Sequence, residues 1–296
     1  MSVLLLFFDG VGIAPPDPTQ NPITEFINRP FPVAGEPYDC HAGQLFPADA
    51  CLGVDGLPQS ATGQATILTG KNAPRIQGRH VTAYPTTKLR ALITEHSLFK
   101  QVRDSGMSPV FANAYHPGYF ARRHTRYSVS TWSWLAAGID YNSLDDLRAG
   151  RAVSHDLTNR FLNGFGFSVP LRHPAQAGRI LAEMLERHDF ILFEYILTDV
   201  FGHSQDRSSL LRCLSDIAKM TEVLLTSAAL DRHTILLVSD HGNAEDLSTN
   251  THNRNPVPVI LWGGASSVTE HSIRSLTDIS PAVLRILRNG NAARAL

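Results

Sequence analysis

The stretch from Leu236 to Gly263, LLVSDHGNAEDLSTNTHNRNPVPVILWG, sets Asp240, His241, Glu245, Asp246 and His252 between two apolar runs, Ile235–Val238 and Val257–Trp262. Two further places offer the same chemistry: Asp9 in FFDGVG, and the pair Asp199 and His203 in TDVFGHSQD. Carboxylate oxygen together with imidazole nitrogen suits zinc, manganese or iron better than calcium. Gly10, Gly202 and Gly242 stand beside these residues, and glycine permits the tight turns that let short side chains reach a common ion. Taken singly, each residue has a plainer reading. An aspartate at a strand end is more often a turn former or helix cap, and a lone histidine more often an ordinary hydrogen-bonded residue. Taken together they are harder to dismiss, because burying so many ionisable groups without a counter-ion is costly. Glu245 and Asp246 are not needed as ligands and read as caps or as supports behind the ligands.

A nucleophile is also on offer. PQSATGQATILTG places Ser60, and two residues later Thr62, at the start of a helix of small residues. A helix N-terminus presents free backbone N–H groups and the positive end of its dipole, both suited to phosphate. A hydroxyl at that place, next to a metal, ionises and becomes a nucleophile. The plainer reading is a serine cap with no catalytic part. Basic and aromatic residues concentrate in NAYHPGYFARRHTRYSVSTWSW (113–134), with His116, Arg122, Arg123, His124 and Arg126. Arginine pairs bidentately with phosphate oxygens, so this segment is a candidate lid and substrate contact, to be set against a solvated basic loop. Arg79 and His80 in QGRH are candidates of the same kind.

The elements that must position these groups follow from hydrophobic periodicity. Short apolar runs at 3–8, 107–115, 189–197, 233–240 and 257–264 predict buried strands. Helices are predicted over 60–70, 98–105, 174–188, 207–229 and 276–287, with Pro174 near one start and Gly70 as a stop. Residues 14–58 and 116–170 read as irregular. Strands alternating with helices predict a three-layer α/β/α sandwich with a largely parallel central sheet. In such folds ligands bind beyond the carboxyl ends of the strands, so Asp9, Asp199, His203, Asp240 and His241 are expected along one edge.

Bulk composition is that of an ordinary globular protein: 296 residues, net charge −1, 43% hydrophobic and 18% charged. There is no basic excess to suggest a nucleic-acid partner and no apolar run long enough to cross a membrane. The apolar start MSVLLLFF lacks a basic leader and is closed by Asp9, so it reads as a first strand rather than a targeting segment. Cys40, Cys51 and Cys213 are scattered and odd in number, and are expected as reduced, buried thiols of a cytoplasmic protein.

FFDGVG, DVFGH and SDHGNAED…THNRNPVPVILWGG resemble the metalloenzyme domain of the alkaline phosphatase superfamily, and among its members the core domain of cofactor-independent phosphoglycerate mutase and of phosphopentomutase. The likeness runs through about 1–13, 58–115 and 174–290, and it implies an alkaline phosphatase-like domain over 1–296 with a small lid at about 114–172. It also implies two divalent ions, zinc or manganese, with magnesium as a further option. Carried over by motif, Asp199, His203 and His252 hold one ion; Asp9, Ser60, Asp240 and His241 hold the other. Ser60 matches the family's nucleophile, standing ten residues before Gly70; Thr62 is the weaker alternative. The substrate implied is a small phosphate ester, handled through a phosphoserine intermediate.

The sequence departs from the mutases in two places. Their nucleophile motif, Asn-Ser-Glu-Val-Gly-His, is here Gln59-Ser60-Ala61-Thr62-Gly63-Gln64, and only KNAPRIQGRHVTAYP stands where they insert a large second domain. A mutase must keep its dephosphorylated intermediate away from water while the phosphoryl group sits on serine. Without that domain a phosphatase or phosphodiesterase is expected ahead of a phosphomutase, with a non-catalytic metal- or phosphate-binding protein as a further alternative. A sulfatase would show Cys or Ser in a Cys/Ser-x-Pro-x-Arg context, which Ser60-Ala-Thr-Gly-Gln lacks.

Overall fold

The computed structural model describes residues 1–26, 29–121, 126–264 and 273–294. Its strands are β1 (Ser2–Phe8), β2 (Gln44–Ala48), β3 (Pro109–Phe111), β4 (Phe190–Tyr195), β5 (His233–Val238) and β6 (Val257–Gly263), in the sheet order β2-β6-β5-β1-β4-β3. Its helices are α1 (Ser60–Thr69), α2 (Ala73–Gln77), α3 (Thr87–His96), α4 (Leu98–Asp104), α5 (Val129–Ala136), α6 (Leu144–Arg148), α7 (Arg160–Gly164), α8 (Pro174–Leu185), α9 (Leu197–His203), α10 (Arg207–Ser227) and α11 (Ile279–Arg294).

β1 is apolar at nearly every position because both its faces are covered. Val3, Leu5 and Phe7 pack into a cluster with α1, α3, α4, α5 and α11, while Leu4, Leu6 and Phe8 pack on α8 and α10. Fully burying each of these leucines contributes about 2 kcal/mol. The result is the expected three-layer sandwich, with helices on both faces of the sheet. β1 runs parallel to β4 and β5, and β3 parallel to β4, so the carboxyl ends of β5, β1 and β4 lie side by side at the centre.

Several elements differ from the sequence reading. β6 runs antiparallel to β5, and β2 antiparallel to β6. His252 therefore enters the site on the segment leading into a strand, whereas Asp9, Asp199 and Asp240 leave one. β2 lies inside the stretch expected to be irregular. Its mixed burial and its Pro47 hide it from periodicity, and proline is tolerated there because the strand is at the sheet edge. The same applies to 116–170, where α5, α6 and α7 are too short to show a full amphipathic repeat. α3 follows a turn and caps itself with Thr86, whose hydroxyl accepts from the Leu89 N–H. The cysteines are all free; Cys40 and Cys213 are buried as expected, but Cys51 is only half-buried. Among the described residues no helix is long and apolar enough to cross a membrane.

Candidate metal centre

Each expected ligand owes its place to a strand end. Asp9 follows β1 and its N–H donates to the Tyr195 carbonyl at the end of β4, which ties two of the strand ends together. Gly10 makes the turn with φ +69°, and a Cβ there would stand 2.5 Å from Asp199 Oδ1. Only glycine supplies both the left-handed backbone and the room. α9, which the sequence reading did not register, begins directly after β4 and carries Asp199 and His203 four residues apart, hence on one helical face. Asp240 and His241 follow β5, and both are fully buried.

α1 is buried along its whole length after Ser60, which suits its small residues. Thr66 and Thr69 return their hydroxyls to the carbonyls of Thr62 and Ala65, so no polar group is stranded. Gly63 lets the helix lie against the Asp240 backbone, where a Cβ would come within 2.8 Å of the Asp240 Cβ. This close approach puts Ser60 Oγ 3.0 Å from His241 Nε2. The Thr62 hydroxyl is instead committed to its own helix end, donating to the Gln59 carbonyl and accepting from the Val81 N–H.

The ligand atoms form two groups that share His241. Asp9, Asp240 and His241 make one; Asp199, His241 and His252 make the other. His241 Nε2 lies 3.3 Å from Asp9 Oδ1 and 3.5 Å from Asp240 Oδ2, facing Ser60 as well, whereas Nδ1 is 4.0 Å from Asp199 Oδ1. His252 stacks on His241 with ring centroids 3.6 Å apart and offers Nε2 at 3.6 Å from Asp199 Oδ1. Its Nδ1 is held by the Pro58 carbonyl at 2.8 Å, just ahead of the Ser60 helix. His203 stands at the outer rim, its Nε2 3.0 Å from His252 Nε2 and 3.3 Å from Asp199 Oδ2.

These groups are poorly matched to one another unless cations join them. Burial first, and then the charges of Asp240 and Asp199, push the Asp9 carboxyl well above its usual range. Burial, and then Asp199, do the same to Asp240. Burial and the neighbouring His252 hold the His241 ring well below its usual value, so the ring is neutral and able to coordinate. Asp9 Oδ1, Asp240 Oδ2 and His241 Nδ1 are buried without a hydrogen-bond partner among the described residues. Unpartnered oxygen and nitrogen acceptors converging on a shared ring are what divalent cations would satisfy, so the residues present fit a two-ion centre.

The structure adds residues that the sequence reading missed. Glu194 on β4 is buried, its carboxyl pushed up to about 7 by burial, against the opposing hydrogen bond from Ser130. Both Glu194 oxygens accept from the Ser130 hydroxyl at 3.0 Å. Gln64 Nε2 donates to Asp9 Oδ2 at 3.3 Å. A charged residue inside the apolar run FILFEY was the available signal for Glu194.

The candidate substrate contacts are less gathered. Arg79 and Arg126 are exposed. His80 is half-buried, with its pKa lowered by burial. His116 packs on Phe167, with centroids 4.7 Å apart, inside the 114–172 segment itself. Arg122, Arg123 and His124 lie outside the described residues.

Residues 170–289 match the family model of the Metalloenzyme superfamily, a stretch that contains Asp199, His203, Asp240, His241 and His252. Among curated proteins, the chain is 30% identical over 111 residues to a 2,3-bisphosphoglycerate-independent phosphoglycerate mutase of Desulforudis audaxviator, covering 35% of this chain and 21% of that one. A mutase of the same description from Flavobacterium psychrophilum is 30% identical over 105 residues, covering 33% and 20%. The matches span about a fifth of the length of these relatives. Among solved structures, a Pyrococcus horikoshii protein superposes with TM-score 0.61 at 15% identity, covering 97% of this chain and 96% of that one. Alkaline phosphatase from the Antarctic bacterium TAB5 gives 0.52 at 13%, covering 97% of each chain. The fold is thus that of the alkaline phosphatase-like metalloenzymes. Sequence similarity to phosphoglycerate mutases extends over about a third of the chain.

Proposed function

We propose that the protein is a two-metal-dependent phosphoryl-transfer enzyme that hydrolyses a small phosphate ester through Ser60. The observation that carries this reading is the meeting of Ser60 Oγ with His241 Nε2 at 3.0 Å, at the face of the ring shared with Asp9 and Asp240. Asp9, Asp240 and His241 would hold one ion beside Ser60; Asp199, His203 and His252 would hold the other. When bound, the ions would favour the ionised form of the serine hydroxyl and neutralise charge growing on the transferred phosphoryl group. Imidazole nitrogens mixed with three carboxylates suit zinc or manganese, with magnesium as a further option.

The chain's own part is positional. The first turn of α1 presents Ser60 at a helix N-terminus, which favours an anionic phosphoryl group. Ser60 Oγ attacks phosphorus, the bond to the ester oxygen breaks, and the alcohol leaves with a proton. Water then attacks the phosphoserine, releasing phosphate and restoring the serine. α1 connects to α3 through α2 and a short turn, so hydrolysis is favoured over transfer back to the same molecule, which needs an enclosed intermediate.

A second reading, a phosphomutase, is favoured by the similarity to phosphoglycerate mutases. One experiment separates the two. Metal-reconstituted protein is assayed with an aryl phosphate, an aryl phosphodiester and 3-phosphoglycerate, beside Ser60→Ala. The hydrolysis reading expects phosphate released from the aryl monoester, or the aryl alcohol and a phosphate monoester from the diester, and either product disappears in the variant. Isomerised phosphoglycerate without released phosphate replaces hydrolysis by the mutase reading, and no turnover of any substrate by metal-loaded protein removes both.

A further inference from the structure

Glu245 is 1% exposed and lies in none of the candidate ligand groups, yet its carboxylate touches three of the four segments that carry them. Oε2 accepts from the Gly12 N–H at 2.7 Å, on the turn that follows Asp9, and from the Asn243 N–H at 2.9 Å, just after His241. Oε1 accepts from Asn253 Nδ2 at 2.7 Å and Asn255 Nδ2 at 3.0 Å, on the segment that carries His252. Each oxygen therefore receives two hydrogen bonds, and the group acts only as an acceptor. Gly12 and Gly242 make room for it, since a Cβ at either position would fall within 2.3 Å of Oε1. From the same hub Asn243 Nδ2 continues to Asp199 Oδ1 at 2.7 Å, so the fourth ligand-bearing element is reached through one intermediary.

We propose that Glu245 is a positioning residue for the whole centre: one buried acceptor sets the spacing between the Asp9–Asp240–His241 group and the Asp199–His252 side. One of the segments it joins is remote in the chain, Gly12 standing 233 positions before Glu245, while Asn243, Asn253 and Asn255 lie within ten residues of it. Beside it, the two later segments are tied by the bridge of Gly242 to Asn253, with one backbone hydrogen bond of 3.2 Å, and by the stacking of His241 on His252. A glutamine cannot replace this acceptor. Either orientation of its amide turns an NH2 group against two donors, which leaves buried donors unpaired. Groups behind metal ligands typically govern affinity by about 10- to 100-fold.

The inference rests on the two-ion reading above, and its test separates the two. Metal-free wild type, Glu245→Gln and Asn255→Ala are titrated with Mn2+. Binding stoichiometry and affinity are read by calorimetry, the Mn–Mn coupling by electron paramagnetic resonance, and folding by circular dichroism. Wild type is expected to take two ions with a coupled signal. Glu245→Gln is expected to bind about 10- to 100-fold more weakly and to lose the coupled signal. Asn255→Ala, which removes only one of the four donors, is expected to fold and to shift both readouts in the same direction by less. Folded variants that load both ions with wild-type affinity and an unchanged coupled spectrum overturn the positioning role. If Glu245→Gln does not fold, Asn255→Ala decides alone by the same criterion. Wild type that binds fewer than two ions sinks the two-ion reading itself.

Discussion

The carboxyl edge of β1, β4 and β5 and the segment from Ala114 to Arg172 meet at Asn113, and they differ in the kind of polar group they bury. Asn113 Nδ2 donates to the Glu194 carbonyl on one side and lies 3.0 Å from His155 Nδ1 on the other. On the strand edge, carboxylates crowd together and several acceptor atoms have no partner among the described residues. Across the junction, Tyr119, Ser128 and Thr131 join their hydroxyls at 2.9 Å, and Tyr115, Phe120 and Trp134 pack their rings around them. Buried groups of one charge raise the free energy of the folded state unless something from outside compensates, whereas a satisfied network needs nothing. The unpartnered atoms of the first region are mostly carboxylate and imidazole groups that suit cations, whereas those of the second, such as Trp132 Nε1 and Asn159 Oδ1, belong to neutral side chains.

The strongest way to break this contrast is to withhold the cations. Chelation is expected to abolish turnover and to lower the unfolding temperature. An ion present at a hundred times its dissociation constant contributes about 2.7 kcal/mol, which calorimetry with and without Zn2+ or Mn2+ would detect. An unchanged melting temperature would mean that the crowded carboxylates need no counter-ion. Ser60→Ala comes next: kcat on an aryl phosphate is expected to fall by about 10³-fold or more, with metal-bound protein still folded. A loss of less than tenfold would move the chemistry away from α1.

Acid and base sharpen the contrast by sign. Burial raises the Glu194 carboxyl to about 7, so in metal-free protein it holds its proton when folded and loses it when unfolded. Its contribution is therefore present at low pH and lost as pH rises from about 4.5 to about 7. Burial lowers His155 to about 4, with the Asp156 charge opposing, so the folded ring stays neutral while the unfolded one takes up a proton. Its contribution is present above about 6.5 and lost as pH falls towards 4. Each is worth up to about 3 kcal/mol. Denaturant titrations of metal-free Glu194→Gln and His155→Asn against pH should flatten opposite limbs of the stability profile, and flattening of the same limb by both would refute the assignment. The smallest effect is expected at the edge of the 114–172 segment. If that segment closes over bound substrate, Arg126→Ala should raise KM by about three- to tenfold and leave kcat in place. An unchanged KM would leave it a free-standing wall of the site.

Much of the first region was legible in the chain, and little of the second. Apolar runs ending in Asp9, Asp199 and Asp240-His241 announce strand ends that carry the candidate ligands, because strand length and polarity are written over a few adjacent residues. α9 was hidden by its seven residues, although the spacing of Asp199 and His203 is helical. Within 116–170, short helices and an aromatic cluster leave no long repeat to read, and their partners lie far away in sequence.

By itself the sequence determined the layered α/β architecture and a serine at a helix start, which follow from local periodicity and residue type, and it offered the candidate ligands through the resemblance of its motifs. Only the tertiary structure decided how they combine. It placed His241 at the junction of both ligand groups, brought Ser60 to it across 181 positions of chain, ran β6 against its neighbour so that His252 arrives from the opposite direction, and gathered four donors on Glu245. Distances of about 3 Å between such remote residues depend on how helices and strands pack, with glycines such as Gly10 and Gly63 setting the closest approach. No run of neighbouring side chains encodes that.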